Sequence, residues 1–79
     1  MISDEIRRYK ELISGLNVDE LVTVLNKSRL STDERYVVEL IDLYGKSIKE
    51  ASFETDKDTR QVNRWLHKAR AKILKQVLK

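Results

Sequence analysis

The segment KDTRQVNRWLHKARAKILKQVLK, residues 57–79, has the pattern of an amphipathic α-helix. Its apolar side chains recur at steps of three or four residues, a period that gathers them on one face of a helix. These residues are Val62, Leu66, Ala69, Ile73 and Val77. We therefore expect one face of this helix to lie in a hydrophobic core, with its other face in solvent.

Most of the positive charge of the chain lies in the same segment. Residues 57–79 contain eight Lys or Arg and one acidic residue, a net charge of +7. Residues 1–56 contain eight Lys or Arg and twelve acidic residues, a net charge of −4. Cationic side chains displace the counterions that condense on phosphates, so an anchored helix with a basic outer face is typical of a DNA-binding element. A basic helix that is merely solvated is the alternative interpretation.

Length and composition exclude several classes of protein. A chain of 79 residues forms one small domain. The absence of Cys excludes disulfides and thiolate metal sites and is compatible with the cytoplasm. A single histidine, His67, has no partner ligands for a metal, and no apolar run is long enough to cross a membrane. The sequence contains no nucleophile–base pair and no Gly-rich phosphate loop, so we expect no enzyme and no cofactor.

Four helix-start signals divide the chain. Each has a capping residue followed three positions later by Glu or Gln, the spacing of a capping box. The pairs are Asn17 with Glu20, Ser31 with Glu34, Ser47 with Glu50, and Asp58 with Gln61. The predicted helices span about 3–14, 18–27, 32–44, 47–54 and 58–79. The predicted fold class is all-α, a compact five-helix bundle in which the last two helices are spaced as a helix-turn-helix.

Periodicity also predicts the orientation of several side chains. Tyr44 continues the apolar face of the third helix, and Asp42 falls on its solvent face. Phe53 lies off the apolar stripe of the fourth helix, so either that helix is rotated or Phe53 is exposed. Trp65 borders the inner face of the last helix, where core packing is favoured over base stacking or partner binding.

Residues 30–51, LSTDERYVVELIDLYGKSIKEA, and 62–74, VNRWLHKARAKIL, resemble the region 4 helix-turn-helix of bacterial sigma factors. The positions that match the family pattern are Leu30, Ser31, Glu34, Arg35, Val37, Gly45, Ser47, Glu50, Val62, Leu66, Ala69, Lys72 and Ile73. LuxR-type domains share part of this pattern, including Lys49 and Glu50, but the dense match through the last helix favours the sigma-like interpretation. The nearest class by resemblance is the small stand-alone sigma-like regulators of phages and mobile elements.

The resemblance implies a DNA-binding surface. It places Lys46, Ser47 and Lys49 near phosphates, and it turns the outer side of the last helix toward the major groove. That outer side carries Thr59, Arg60, Gln61, Asn63, Arg64 and Lys68. We add Lys57 in the turn and His67, which is either a phosphate contact or simply exposed to solvent. Arg can bond both O6 and N7 of guanine, and Asn or Gln can do the same with N6 and N7 of adenine. Arg70, Lys72 and Lys75 are expected to neighbour the DNA backbone or to be solvated.

Two features leave alternatives open. Glu54, Asp56 and Asp58 put negative charge beside the expected DNA surface, so a rival interpretation is a protein-interaction module that has lost DNA binding. The apolar cluster at the end of the chain, together with Trp65, is a candidate partner or dimer interface. The cluster comprises Ile73, Leu74, Val77 and Leu78. Docking of this cluster on the first helix is favoured, with a homodimer or RNA polymerase as the alternatives.

The expected function is therefore that of a transcription regulator that reads double-stranded DNA with its last helix. Residues 1–29 are predicted to form a helical hairpin that packs on the core, and residues 30–79 the sigma-like helix-turn-helix. In the rival interpretation the same fold binds RNA polymerase or a sigma factor and does not touch DNA.

Overall fold

The structure, a computed structural model, describes residues 4–77 and contains five helices in that range. The helices are α1 (Asp4–Ser14), α2 (Val18–Lys27), α3 (Thr32–Val38, continued by a π-helical turn over Glu39–Leu43), α4 (Ile48–Thr55) and α5 (Thr59–Val77). The described part of the chain has no β-strand. The predicted all-α fold is confirmed.

Hydrogen bonds at their first turns explain where α2, α3 and α4 begin. In each helix the capping side chain accepts the N–H of the Glu three residues on, and that Glu carboxylate accepts the N–H of the cap. The pairs are Asn17 with Glu20, Ser31 with Glu34, and Ser47 with Glu50, with distances of 2.8 to 3.2 Å. At the start of α5 the Asp58 carboxylate accepts the Gln61 N–H at 2.8 Å. The predicted starts are confirmed, because these bonds satisfy N–H groups that a helix leaves free.

The central element of the bundle is α5, which every other helix contacts. Its predicted inner face is buried: Val62, Leu66, Ala69 and Ile73 are at most 3% exposed. They pack with Tyr9, Leu25, Val37, Val38, Leu40 and Ala51 in one hydrophobic cluster. Burial of this face therefore fixes which side of α5 remains available to other molecules.

A widened turn at the end of α3 changes the direction of the side chains that follow it. Over Glu39–Leu43 the helix is of the π type, and the Tyr44 N–H donates to the Glu39 carbonyl, five residues earlier, at 2.9 Å. A π turn holds more residues than an α turn, so side chains after Val38 lag behind their α-helical positions. Tyr44 is consequently 68% exposed, and Asp42 is turned toward α5. The predictions that Tyr44 lies on the apolar face of α3 and that Asp42 lies on its solvent face were wrong for this reason.

Asp42 connects three helices. Its Oδ2 accepts a hydrogen bond from the Tyr9 hydroxyl at 2.6 Å, and Nη2 of Arg70 donates to its Oδ1 at 2.8 Å. The Arg70 guanidinium also lies 5.2 Å from the centroid of the Tyr9 ring, within cation–π range. Burial, reinforced by the negative charge of Asp42, raises the pKa of Tyr9 above its usual value, so the phenol stays protonated and can donate. This cluster of Tyr9, Asp42 and Arg70 holds α1 against α3 and α5.

A second ion pair, with a buried carboxylate and a partly exposed lysine, joins α3 to α5. Nζ of Lys72 donates to Oε1 of Glu34 at 2.6 Å, and Glu34 is only 4% exposed. Burial raises the pKa of Glu34, but hydrogen bonds from Lys72 and the Ser31 N–H outweigh this effect and hold the pKa below its ordinary value. The expectation that Arg70 is a backbone neighbour or solvated was wrong, because its side chain is only 20% exposed and pairs with Asp42. Lys72 pairs with Glu34, but its side chain is 44% exposed, in agreement with the solvated alternative.

We expect the Glu34–Lys72 pair to make the fold sensitive to acid. Because the pKa of Glu34 is lower in the folded chain than its ordinary value of 4.5, its contribution to stability is complete above that value. The contribution is lost as the pH falls through the lower, folded pKa. Glu34→Gln should lower the melting temperature at neutral pH and should flatten its decline between about pH 5 and pH 3. Circular dichroism melts across this range measure both effects.

The matched control is Glu50→Gln, because Glu50 has the same capping role but is exposed and pairs with no cation among the described residues. If both variants changed the pH dependence equally, the ion pair with Lys72 would not be its cause.

Candidate nucleic-acid interface

Helices α4 and α5 form a helix-turn-helix. A short turn separates Thr55, the last residue of α4, from Thr59, the first of α5. Ala51 and Val62, one from each helix, are fully buried and hold the pair in one core cluster. A short helix, a tight turn and a longer basic helix are the parts with which such motifs place the second helix in the major groove.

Asp56 makes the tight turn. It has φ 56° and ψ 37°, the left-handed conformation, and its N–H donates back to the Ser52 and Phe53 carbonyls. Asp is among the few residues with a side chain that enter this region readily, and Gly is the usual choice. The chain therefore closes the turn between α4 and α5 without a glycine.

The outer face of α5 is exposed and cationic. At about 3.6 residues per turn, Arg60 and Arg64 lie on the side opposite the buried stripe, with Lys68 beside them. All three side chains are exposed, as are Asn63 and His67. None of the three cations makes an ion pair with any residue in the described range 4–77. These three cations are therefore available to bind an external anion.

The other residues predicted to bind DNA surround this face. Thr59 and Lys57 are exposed at the start of α5, and Gln61 is half-buried. At the other end of the motif, Lys46 and Lys49 are exposed on either side of Ser47. The hydroxyl oxygen of Ser47 accepts the Glu50 N–H, so this residue also has a structural role as the cap of α4.

Asp56 is the acidic residue of the turn whose substitution tests both its backbone conformation and its negative charge. Asp56→Gly should raise the free energy of unfolding by up to about 1 kcal/mol, because Gly enters the left-handed region without the steric cost of a Cβ. It should also strengthen binding to duplex DNA, because it removes a negative charge beside the cationic face. Urea unfolding and fluorescence anisotropy with a labelled duplex measure the two effects.

The variant Asp56→Asn separates the effect on stability from the effect on DNA binding, because Asn has no charge but keeps a Cβ in the left-handed conformation. It should strengthen DNA binding with little change in stability. An unchanged affinity in both variants would mean that the turn does not approach the phosphates.

Most of the predicted interface at the end of the chain is part of the core. Ile73 and Leu74 are 2% and 6% exposed, so they cannot present a surface to a partner or a second copy. The assignment of these two residues to a partner or dimer interface is corrected, and the favoured alternative, packing within the same chain, agrees with their place in the core cluster. Trp65 and Val77 are partly buried and pack against the core, and Leu78 lies outside the described residues.

Phe53 is an exposed apolar side chain that lies apart from the C-terminal cluster. It is 79% exposed on the outer side of α4, which agrees with one of the two alternatives that its off-stripe position allowed. Across residues 4–77, no group of His, Cys, Asp or Glu is arranged to hold a metal ion. No helix in that range has the length and apolar character to span a bilayer.

Comparison with protein families supports the resemblance. A family model described as "Sigma-70, region 4" matches residues 27–73, more than half of the chain, and its match includes all of α3, α4 and the turn before α5. No curated protein and no solved structure gives a significant match. Domains of this family are regulatory modules that bind DNA and RNA polymerase, and it is not a family of enzymes. The chain therefore belongs to the sigma-70 region 4 family of helix-turn-helix domains.

Proposed function

We propose that this protein is a transcription regulator that binds duplex DNA, with the N-terminal half of α5 in the major groove. The observation that carries the proposal is the row of exposed cations on α5, Arg60, Arg64 and Lys68. No ion pair within residues 4–77 engages them, and the opposite face of the helix is buried in the core. Arg60 and Arg64 have the donor geometry to bond guanine O6 and N7. Asn63 and Gln61 suit adenine, and Lys68 suits a phosphate.

The start of α4 would contribute backbone contacts. Lys46 and Lys49 are exposed there, and Lys57 is exposed in the turn, so three further cations border the reading helix. Contacts of this kind fix the register of a protein on the duplex but carry no sequence information directly. Sequence preference would then rest on the few side chains of α5 that reach base edges.

The remaining helices would serve as a support. We propose that residues 1–29 act as a helical hairpin on which the helix-turn-helix of residues 30–79 is mounted, since both α1 and α2 contact α5. In this role they hold the reading helix in place through the hydrophobic core that they share with it. We expect the protein to act in the cytoplasm, where its target is, and to have no enzymatic activity and no cofactor.

A second candidate function is a protein-interaction module that binds RNA polymerase or a sigma factor without DNA. The observation that favours it is Phe53, since a 79% exposed aromatic side chain can anchor a partner. The acids Glu54, Asp56 and Asp58 would oppose DNA binding in this case. A homodimer has less support, because Ile73 and Leu74 are buried within the chain.

Equilibrium binding to duplex DNA tests the proposal. Fluorescence anisotropy with mixed-sequence duplexes should show binding that weakens steeply between about 50 and 200 mM salt, as counterion release requires. Selection from random duplexes should then enrich a preferred sequence, and sedimentation should give the stoichiometry. Absence of binding even at low salt, with retained capture of RNA polymerase, would favour the second candidate.

A further inference from the structure

A second cationic surface lies beside the C-terminal half of α5. It is a groove of about 540 Å³ between that half of the helix and the turn that joins α2 to α3. Its lining includes Lys27, Arg29, Lys72, Lys75 and Gln76, and none of its described lining residues is acidic. Lys72 is paired with Glu34, whereas no ion pair engages Lys27, Arg29 or Lys75 in the described part of the chain. The groove therefore carries about three uncompensated positive charges.

Two neutral polar side chains on the wall of this groove already have partners within the protein. The Asn26 side-chain oxygen accepts a hydrogen bond from Arg35, and the Ser28 hydroxyl donates to the Val24 carbonyl at 2.6 Å. The cationic side chains that remain are donors without acceptors of their own. Such a surface suits an anion whose oxygens can accept several hydrogen bonds.

Arg29 stands at a costly backbone position. Its φ is 54°, in the left-handed region, where a residue with a side chain costs about 1–2 kcal/mol more than Gly. Gly at this position would make the same turn with less strain. A cationic side chain held here instead points to a use for it, because strained positions concentrate at binding sites.

The groove is continuous with the surface that is proposed to read DNA. Arg64, Lys68 and Lys72 follow one another at steps of four residues, which lie about 6 Å apart along a helix. Lys75 continues this flank of α5 into the groove. A row of cations that runs from the reading half of a helix to a second cationic site fits a polymer with repeated negative charges better than a single carboxylate.

We propose that this groove binds phosphates of the DNA backbone that flank the sequence read by Arg60 and Arg64. The proposal rests on the proposed function, because it assumes that α5 enters the duplex. The groove would add affinity that does not depend on sequence, and it would seat one strand against the α2–α3 turn. The acidic surface of a partner protein is the other occupant that such charge could attract.

The test compares the wild-type chain with the triple variant Lys27→Gln, Arg29→Gln, Lys75→Gln. All three side chains are exposed, so the variant should fold, which a circular dichroism melt will check. We expect its affinity for a duplex of about 25 bp to fall on the order of tenfold at moderate salt. The slope of log K against log salt should become shallower by about 0.9 for each phosphate that the variant no longer neutralises. Its ranking of different sequences should not change.

Neutral methylphosphonate linkages, placed one at a time in the duplex, locate the groove on the DNA. In the wild type, positions at one edge of the site should weaken binding, and in the triple variant the same positions should have no effect. An Arg60→Gln, Arg64→Gln variant should keep the effect at that edge. Lys75→Glu alone provides a second variant, with an expected loss of affinity at least as large as that of any single neutral change.

The outcomes separate this proposal from the one on which it rests. If the wild type binds DNA but the triple variant keeps its affinity, its salt slope and its methylphosphonate pattern, the groove proposal is overturned and the proposed function stands. An acidic partner would then be the occupant to seek. If the wild type binds no duplex at any salt concentration, both proposals fail together.

Discussion

Replacing Arg60 and Arg64 together by Ala is expected to lower the affinity for the preferred duplex by on the order of a hundredfold. Each bidentate contact of Arg with guanine contributes about 1–3 kcal/mol of discrimination. Each arginine also neutralises negative charge on the duplex. Both side chains are exposed and neither has an ion-pair partner in the described range, so their removal should not disturb the fold. Anisotropy titrations with the selected sequence and with a scrambled duplex measure the loss.

A conservative variant distinguishes charge from recognition. Lys at both positions keeps the positive charge but cannot reproduce the planar, two-pronged donor geometry of Arg. Arg60→Lys, Arg64→Lys should therefore keep most of the salt dependence and lose most of the preference for the selected sequence. Equal binding of both duplexes by the wild type, or no effect of the Ala variant, would contradict the assignment of α5 as the reading helix.

Asp42→Ala is expected to lower the free energy of unfolding by about 2–3 kcal/mol. The substitution leaves the Arg70 guanidinium without its carboxylate and the Tyr9 hydroxyl without its acceptor, in a region where the side chains of Asp42 and Arg70 are only 12% and 20% exposed. For a domain of this size such a loss is a large fraction of the total stability. Urea unfolding followed by circular dichroism measures it.

Two further variants give this prediction its controls. Glu54→Ala removes an exposed acid from α4 and should change the stability by less than about 0.5 kcal/mol. The double variant Asp42→Leu, Arg70→Met replaces the pair by apolar side chains and should lose much less stability than Asp42→Ala alone. A cost of Asp42→Ala as small as that of Glu54→Ala would mean that water satisfies the cluster.

The features that the sequence predicts well are local. A capping box needs only two residues three positions apart, so Ser31 with Glu34 and Ser47 with Glu50 are visible directly in the chain. The buried stripe of α5 is predictable for the same reason, since it repeats at one period over the whole helix. Its outer face then follows as the complement of the stripe.

The features that the sequence does not predict depend on distant parts of the chain or on a change of period. Lys72 lies 38 positions from Glu34, and Arg70 lies 28 positions from Asp42. No local pattern relates residues so far apart. The π turn is different, because a uniform period of about 3.6 residues misplaces every side chain that follows the point where α3 departs from it.

The candidate site is predictable in part for the same reasons. Exposure of Arg60, Asn63 and Arg64 follows from helical geometry, and the structure agrees. Burial of Ile73 and Leu74 could not be told from partner binding, because an apolar face looks the same whether the chain itself or another molecule covers it. The cationic groove has no signal in the linear sequence, since its walls come from α5 and from the distant α2–α3 turn.

The widened turn at Glu39–Leu43 sets the direction of the side chains on which the attachment of α1 depends. If this turn tightened to ordinary α-helical winding with no change of length, the side chains that follow it would advance by about 100° relative to those before it. The Asp42 carboxylate would then face solvent, and Arg70 and Tyr9 would lose the acceptor that they share. A tightened α3 would therefore remain helical while α1 lost its attachment, so the position of α1 depends on the winding of a helix that does not adjoin it in the sequence.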